Sequence, residues 1–394
     1  MPADGPAEWG LKVYALKSAM RIPSLDGLRA VSIVAVFLAH SVQPPSSDWA
    51  KPFEQLIRRG GDMGVNVFFV ISGYLITTLL VREWGVAAGI DLPKFYVRRA
   101  FRIIPACAAY LGVTSLLMSV GLIPRAFTLS LLSLTFLRNY ASAAGVGESE
   151  GWYTGHYWSL AVEEQFYLFW PACLAALGPR RATWLAVGLV LASPLIRALH
   201  YVALPDLRMP MGMMTHTRID TIMFGCLAAL LADSASLWAA VRRAVDLGAQ
   251  WVAIFWISVV SPLLAARFQG VYLFPLGYAL DAACITLVML WLIDQPGSFV
   301  GRLLNRRAVV HLGGVSYSFY LWQQLFTPLG PLWAIGPTVL MAEASFRFIE
   351  RPFLRLRERY FRDDRSRSRP LVVKTGLPTG LPYREEYRDG IISA

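Results

Sequence analysis

Residues 25–43, LDGLRAVSIVAVFLAHSVQ, form an apolar stretch of helical length with Arg29 near its start and His40 deep inside it. Eleven residues at about 100° each return to within roughly 20° of the starting direction, so the two side chains share one helix face about 16 Å apart. Asp26 lies one turn before Arg29 on a neighbouring face. A guanidinium and an imidazole in a hydrocarbon-length helix are costly unless they face protein or water, which makes them functional candidates by default. The plain alternative is an arginine reaching for the interface and a histidine satisfied by packing. This helix alone does not choose; the remaining segments do.

Across its 394 residues the chain is 56% hydrophobic and 13% aromatic, with a mean hydropathy of +0.47. That is more apolar material than one soluble core needs, and it falls into long blocks. The fold class is therefore all-α, a polytopic membrane helix bundle of about ten transmembrane helices. The expected spans are 25–43, 64–82, 103–122, 157–177, 183–203, 217–233, 250–266, 272–293, 309–328 and 331–349. The stretches 217–233 and 250–266 are the shortest.

A net charge of +11 can mark a nucleic-acid binder, but here the basic residues sit between spans and not in one stripe, so no nucleic acid is expected. They read as topology signals. With the N-terminus inside, alternate loops carry Arg82, Lys94, Arg98, Arg99 and Arg102, then Arg180 and Arg181, Arg242 and Arg243, and Arg302, Arg306 and Arg307. The opposite loops are poorer in basic residues, so both termini are expected in the cytoplasm of a multi-pass inner-membrane protein. Cys107, Cys173, Cys226 and Cys284 lie inside apolar spans without paired spacing, which argues against a disulfide framework or a metal site. The first apolar stretch is long and lacks a small-residue cleavage pattern, so it reads as a retained span.

Several segments carry chemistry. After an outside loop from Pro44 to Asp62, GDMGVNVFFVISGYLITTLL (61–80) opens the second span. Its small Ser72 and Gly73, beside the rings of Phe68 and Phe69, read either as a close helix contact or as the wall of an acyl-chain tunnel. In KFYVRRAFRIIP (94–105) the guanidiniums of Arg98, Arg99 and Arg102 cluster if the stretch is helical. Guanidinium forks suit phosphates; a membrane-lipid or topology anchor is the other reading. A long outside segment then runs to His156, with Gly145, Gly147, Gly151, Trp152 and Tyr153, and suits binding or gating.

HYWSLAVEEQFYLFWP (156–171) places Glu163 and Glu164 inside the fourth span, where an ionised carboxylate costs roughly 2.5 kcal/mol or more. Adjacent residues diverge by about 100°, so one carboxylate meets substrate or imidazole while the other pairs elsewhere. Trp158 reads as a sugar-stacking ring or a belt aromatic. Arg218 and Asp220, two apart, need separate partners. SYSFYLWQQ (316–324) offers an aromatic and polar face, and Glu343, Arg347 and Glu350 form a structural ladder. Residues after about Asp363 are charged and rich in serine and proline, and read as disordered.

SLDGLRAVSIVAVFLAH, GDMGVNVFFVISGYLI, FYVRRAFRIIP, WSLAVEEQFYLFWP, SYSFYLW and IERPFLRL, in that order, resemble the acyltransferase-3 family of membrane-bound O-acyltransferases over roughly residues 22–356. The expected domain organisation is a cytoplasmic segment 1–21, an acyltransferase-3 transmembrane domain 22–356 and a basic, disordered cytoplasmic tail 357–394, which leaves no room for the hydrolase-like domain fused to some members of the family. It implies transfer of an acyl group, usually acetyl from acetyl-CoA or another acyl-CoA and without a metal, to a hydroxyl of a carbohydrate such as a surface polysaccharide. The family's arginine-to-histidine motif falls on Arg29 and His40, its paired arginines on Arg99 and Arg102, and its glutamate on Glu163. Where members often carry histidine, this chain has Gln323.

The resulting assignment makes His40 and Glu163 catalytic and Arg29, Arg99 and Arg102 donor-binding, with Glu164, Trp158, Ser72 and Tyr74 on the acceptor or acyl side. His40 acts either as general base or as a nucleophile carrying the acyl group. Acylation of a secondary-metabolite sugar such as a macrolide, a transporter of lipid-linked glycan and an acyl-CoA sensor are the competing readings.

Overall fold

The computed structural model describes residues 22–42, 51–146 and 151–367, and every secondary-structure element among them is helical. The expected segment 1–21 and residues 368–394 of the tail lie outside the described residues. The main helices are α1 (Pro23–Ser41), α2 (Lys51–Ala87), α3 (Leu92–Ser119), α4 (Phe127–Leu134), α5 (Tyr157–Ala203) and α6 (Thr215–Leu230). They are followed by α7 (Ala235–Asp246), α8 (Ala249–Phe268), α9 (Gly270–Asp294), α10 (Arg307–Gly314), α11 (Ser316–Phe326), α12 (Pro331–Ser345) and α13 (Arg351–Arg367).

Among the described residues six helices are long and apolar enough to cross a membrane, or seven if Pro210–Leu230 and Ala235–Asp246, bent by 113°, form one span. The difference from ten has physical sources. The stretches expected at 157–177 and 183–203 are the two arms of α5, whose 47 residues would measure roughly 70 Å unbroken. Gly178, at φ 73° and ψ 165° and followed by Pro179, breaks it. The stretch 309–328 is interrupted at Val315, and α12 runs into a π-helical turn at Phe346–Glu350. Glu343 in α12 and Arg347 and Glu350 in the turn that follows make the end of that stretch charged where a span is apolar.

Two loop expectations change. Residues 51–62, expected as loop, are the first turns of α2, held by Arg58–Glu54 and Arg59–Asp62 pairs at 2.7 Å each. Residues 357–367, expected to begin a disordered tail, continue helix α13. The long segment before α5 folds back onto it. Gln165 Nε2 donates to Phe136 O at 2.7 Å and Asn139 Oδ1 at 3.1 Å, and Asn139 Nδ2 donates to Thr215 Oγ1 at 2.9 Å.

The core is a tight α1–α2–α6 stack. A methyl group on Gly73 would stand 2.1 Å from Ile222 O, and one on Gly225 would stand 2.0 Å from Val70 O. Only glycine lets these backbones approach so closely. Gly225→Ala is therefore expected to destabilise the protein by roughly 1–3 kcal/mol through overpacking. Gly85→Ala on α2, where nothing lies within 4 Å, is the control, and thermal melting in detergent compares them.

The remaining polar ties follow from helix geometry. Arg197 on the second arm of α5 meets Asp220 on α6 through two parallel hydrogen bonds of 2.8 and 2.7 Å, both side chains fully buried. Arg218 turns away to the amide oxygen of Asn66 and lies 3.7 Å from the centre of the Tyr278 ring. In the expected ladder, Glu343 pairs with Arg347 at 3.0 Å and also bonds His311. The π-turn takes Glu350 out of it; that carboxylate accepts from Ser318 instead.

Candidate functional site

Arg29 on α1, Arg99 and Arg102 on α3, and Glu163 on the first arm of α5 open into one pocket. The expected helical phase delivers them. Arg99 and Arg102, three residues apart, share a face of α3, while Arg98 turns outward over the Phe361 ring, 4.9 Å from its centre. Glu163 accepts from Ser72 Oγ at 2.6 Å, and the Tyr167 hydroxyl donates to the same Ser72 oxygen at 3.1 Å. Arg99 lies over the Tyr167 ring at 5.1 Å. Arg29 Nη1 stands 3.5 Å from Asp26 Oδ1, so it serves the pocket and the neighbouring carboxylate together.

The rest of the lining divides by chemistry. Val65, Phe68, Phe69, Ile103 and Leu160 make an apolar wall, and Ser159, Ser316, Tyr317 and Tyr320 bring hydroxyls. Tyr320 and Ser159 are 2.5 Å apart, and Tyr317 donates to Ile103 O at 2.8 Å. Outside the spans, Arg357 on α13 sits close to Arg102 and Arg98; burial first, then those two cations, push its guanidinium below the ordinary arginine value. Crowded cations are relieved by a multiply charged anion, and guanidinium forks match phosphate geometry. The arrangement can therefore hold a phosphate-bearing ligand at its basic end and an uncharged arm along the apolar wall.

Other expected residues fall elsewhere. His40 does not line the pocket. It is half-buried near the far end of α1, its Nδ1 3.3 Å from Gln323 Nε2 and its ring edge-on to Trp152, 6.2 Å between centres. Arg29 and His40 share a face of the unbroken helix α1 by phase, but eleven residues of rise carry His40 past the pocket. Glu164 turns, as adjacent residues must, into a second hollow lined by Tyr96, Arg99, Gln165 and Phe169. Trp158 packs edge-on to Phe69 at 6.1 Å, and Tyr74 is buried in the core cluster with Ile71, Ala228 and Ala229. Neither lines the pocket, because Ser72, Gly73 and Tyr74 point in three directions: Ser72 to the pocket, Gly73 to α6 and Tyr74 to the core.

Sequence reasoning missed Tyr167, Ser159, Tyr317, Tyr320 and Arg357. The tyrosine of SYSFYLW at position 320, quoted as part of an aromatic face, was the available signal; nothing local marked Arg357.

The family profile described as an acyltransferase domain, acyltransferase-3, matches residues 22–342. The chain is similar to the peptidoglycan O-acetyltransferase OatA of Listeria monocytogenes, with 31% identity over 368 residues, 84% of this chain and 55% of that protein. It is also similar to the O-acetyltransferase OatA of Staphylococcus aureus, with 28% identity over 379 residues, 86% of this chain and 58% of that one. The chain thus spans a little over half the length of these relatives. No solved structure matches it.

Proposed function

The chain belongs to the acyltransferase-3 family, and from that premise we propose that it transfers an acyl group, acetyl first, from acyl-CoA to a hydroxyl of a cell-surface polysaccharide. The observation that carries the reading is the pocket in which Arg29, Arg99, Arg102 and Glu163 meet beside an apolar wall. The named target of one relative, peptidoglycan, belongs to the acceptor class proposed here. We further propose an inner-membrane helix bundle with both termini cytoplasmic, lipid around it and no nucleic acid among its partners. The basic end of the pocket then opens to the cytosol, where acyl-CoA is available.

In this mechanism Arg99, Arg102 and Arg29, helped by Arg357, hold the donor phosphates, and the wall from Phe68 to Leu160 guides the thioester arm inward. Glu163, fixed by Ser72, orients the cationic set. His40 takes the proton from the acceptor hydroxyl; the oxygen attacks the thioester carbonyl, the carbon–sulfur bond breaks, and the leaving thiolate ends protonated. Gln323 sets the base: with its amide turned so that Oε1 accepts from Nδ1–H, the lone pair of His40 lies on Nε2. Glu164, Trp158 and Tyr74 support the site from outside the pocket.

The test is labelled acetyl transfer from acetyl-CoA to purified cell-wall glycan in proteoliposomes. Arg99→Ala or Arg102→Ala is expected to weaken donor binding about tenfold or more, the worth of one charge-assisted hydrogen bond, and to flatten its salt dependence. Donor affinity measured calorimetrically in detergent reads this directly. Unchanged affinity in folded protein returns the pair to a topology anchor.

A further inference from the structure

The far end of the bundle holds a second polar assembly that the donor pocket does not use. Five buried side chains there, Thr154, His156, Trp322, Gln324 and Thr327, carry six polar atoms without a hydrogen-bond partner in the protein, both ring nitrogens of His156 among them. Each of these residues is at most 2% exposed. They come from two short stretches, one just before α5 and one at the end of α11, that the fold clamps together. Gln324 Nε2 donates to Trp152 O at 2.9 Å, and the Tyr110 ring stands edge-on to both His156 and Trp322 at 5.3 and 5.4 Å. His40 adjoins both stretches, through Gln323 on one side and Trp152 on the other.

A bare buried polar group costs as much as a lost hydrogen bond. Six on two stretches that the fold brings together, none of them fully charged, suit water, which meets about three such groups per molecule in protein interiors. We propose that His156, with water held among Thr154, Trp322, Gln324 and Thr327, is a proton relay serving His40. The inference rests on the acyl-transfer reading.

The chemistry balances without a net charge on the relay. The proton that His40 Nε2 takes from the acceptor hydroxyl passes through water to one nitrogen of His156 while the other nitrogen releases its own. That proton finishes on the sulfur of the leaving coenzyme A thiolate. A neutral imidazole can do this by exchanging tautomers. The route toward the donor exists in outline: Tyr320, which lines the pocket, donates to His156 O at 2.7 Å and touches Ser159. The titratable and charged groups facing His156 are Tyr110 from α3, Tyr157 from the start of α5 and Tyr320 from α11, with His40 and Arg138 in electrostatic range.

Single-turnover acetyl transfer in proteoliposomes, followed against pH and against the fraction of D₂O, tests the relay. His156→Gln keeps a hydrogen-bonding side chain but cannot exchange tautomers. It is expected to slow transfer about 100-fold, to leave acetyl-CoA affinity unchanged, and to make a curved dependence on D₂O fraction linear. Thr154→Val with Thr327→Val is expected to give a smaller loss of the same kind. If His156→Gln fails to fold, the wild-type D₂O dependence decides: a curve supports a relay of several protons, and a straight line overturns it. Equal rates and pH profiles for wild type and His156→Gln reduce His156 to packing among three tyrosines. A wild type that transfers nothing overturns the acyl-transfer reading, and the relay with it.

Discussion

His40→Ala is expected to lower the turnover of acetyl transfer by about 10²–10⁴-fold, the usual worth of a positioned general base, while leaving the affinity for acetyl-CoA where it is. The split follows from geometry. Arg29, Arg99 and Arg102 line the pocket and His40 does not, so removing the imidazole touches no donor contact. Its neighbours Gln323 and Trp152 are not pocket residues either. Arginine variants should show the reverse pattern, with weakened donor binding. Incubation with labelled acetyl-CoA alone separates the two roles of His40: a general base leaves no acyl group on the protein, whereas a nucleophile leaves one that His40→Ala lacks. Turnover of His40→Ala within tenfold of wild type would remove His40 from the chemistry.

The second large effect is on stability. Arg197→Met leaves the Asp220 carboxylate fully buried and unpaired, and breaking such a pair costs about 3–5 kcal/mol. The loss reaches further than one ion pair, because Arg197 Nη1 also donates to Thr217 O at 2.6 Å and Nε to Phe274 O at 2.5 Å. These bonds tie the second arm of α5 to α6 and to the π-turn at Leu273–Gly277. The double variant Arg197→Met with Asp220→Leu should recover the part due to the stranded charge, but not the two carbonyl bonds. Melting in detergent reads all three proteins, and an Arg197→Met protein that melts within two or three degrees of wild type would contradict the assignment.

Both predictions concern residues that sequence reading treated unequally. His40 stood out because an imidazole in an apolar helix is conspicuous wherever it ends up. Arg197 did not, since an arginine near the end of an expected span resembles an ordinary interface anchor. Its partner is 23 residues away on another helix, and no periodicity connects the two. The separate partners expected for Arg218 and Asp220 were deducible, because two residues on a helix point apart; which partners they found was not.

The amino-acid sequence alone settled what local rules control: a helical membrane protein, the faces that Arg99 and Arg102 share, the divergence of Glu163 from Glu164, and the family. Helical phase is a property of a few neighbouring residues, and so it survives whatever the rest of the chain does. Tertiary structure alone decided which faces meet. It closed Arg29, Arg99, Arg102 and Glu163 into one pocket, left His40 beyond it, sent Tyr74 into the core, and interrupted the expected span 309–328 at Val315. Such outcomes depend on how closely helices approach, as at Gly73 and Gly225, and that distance is set by side chains far apart in the chain that meet only after folding.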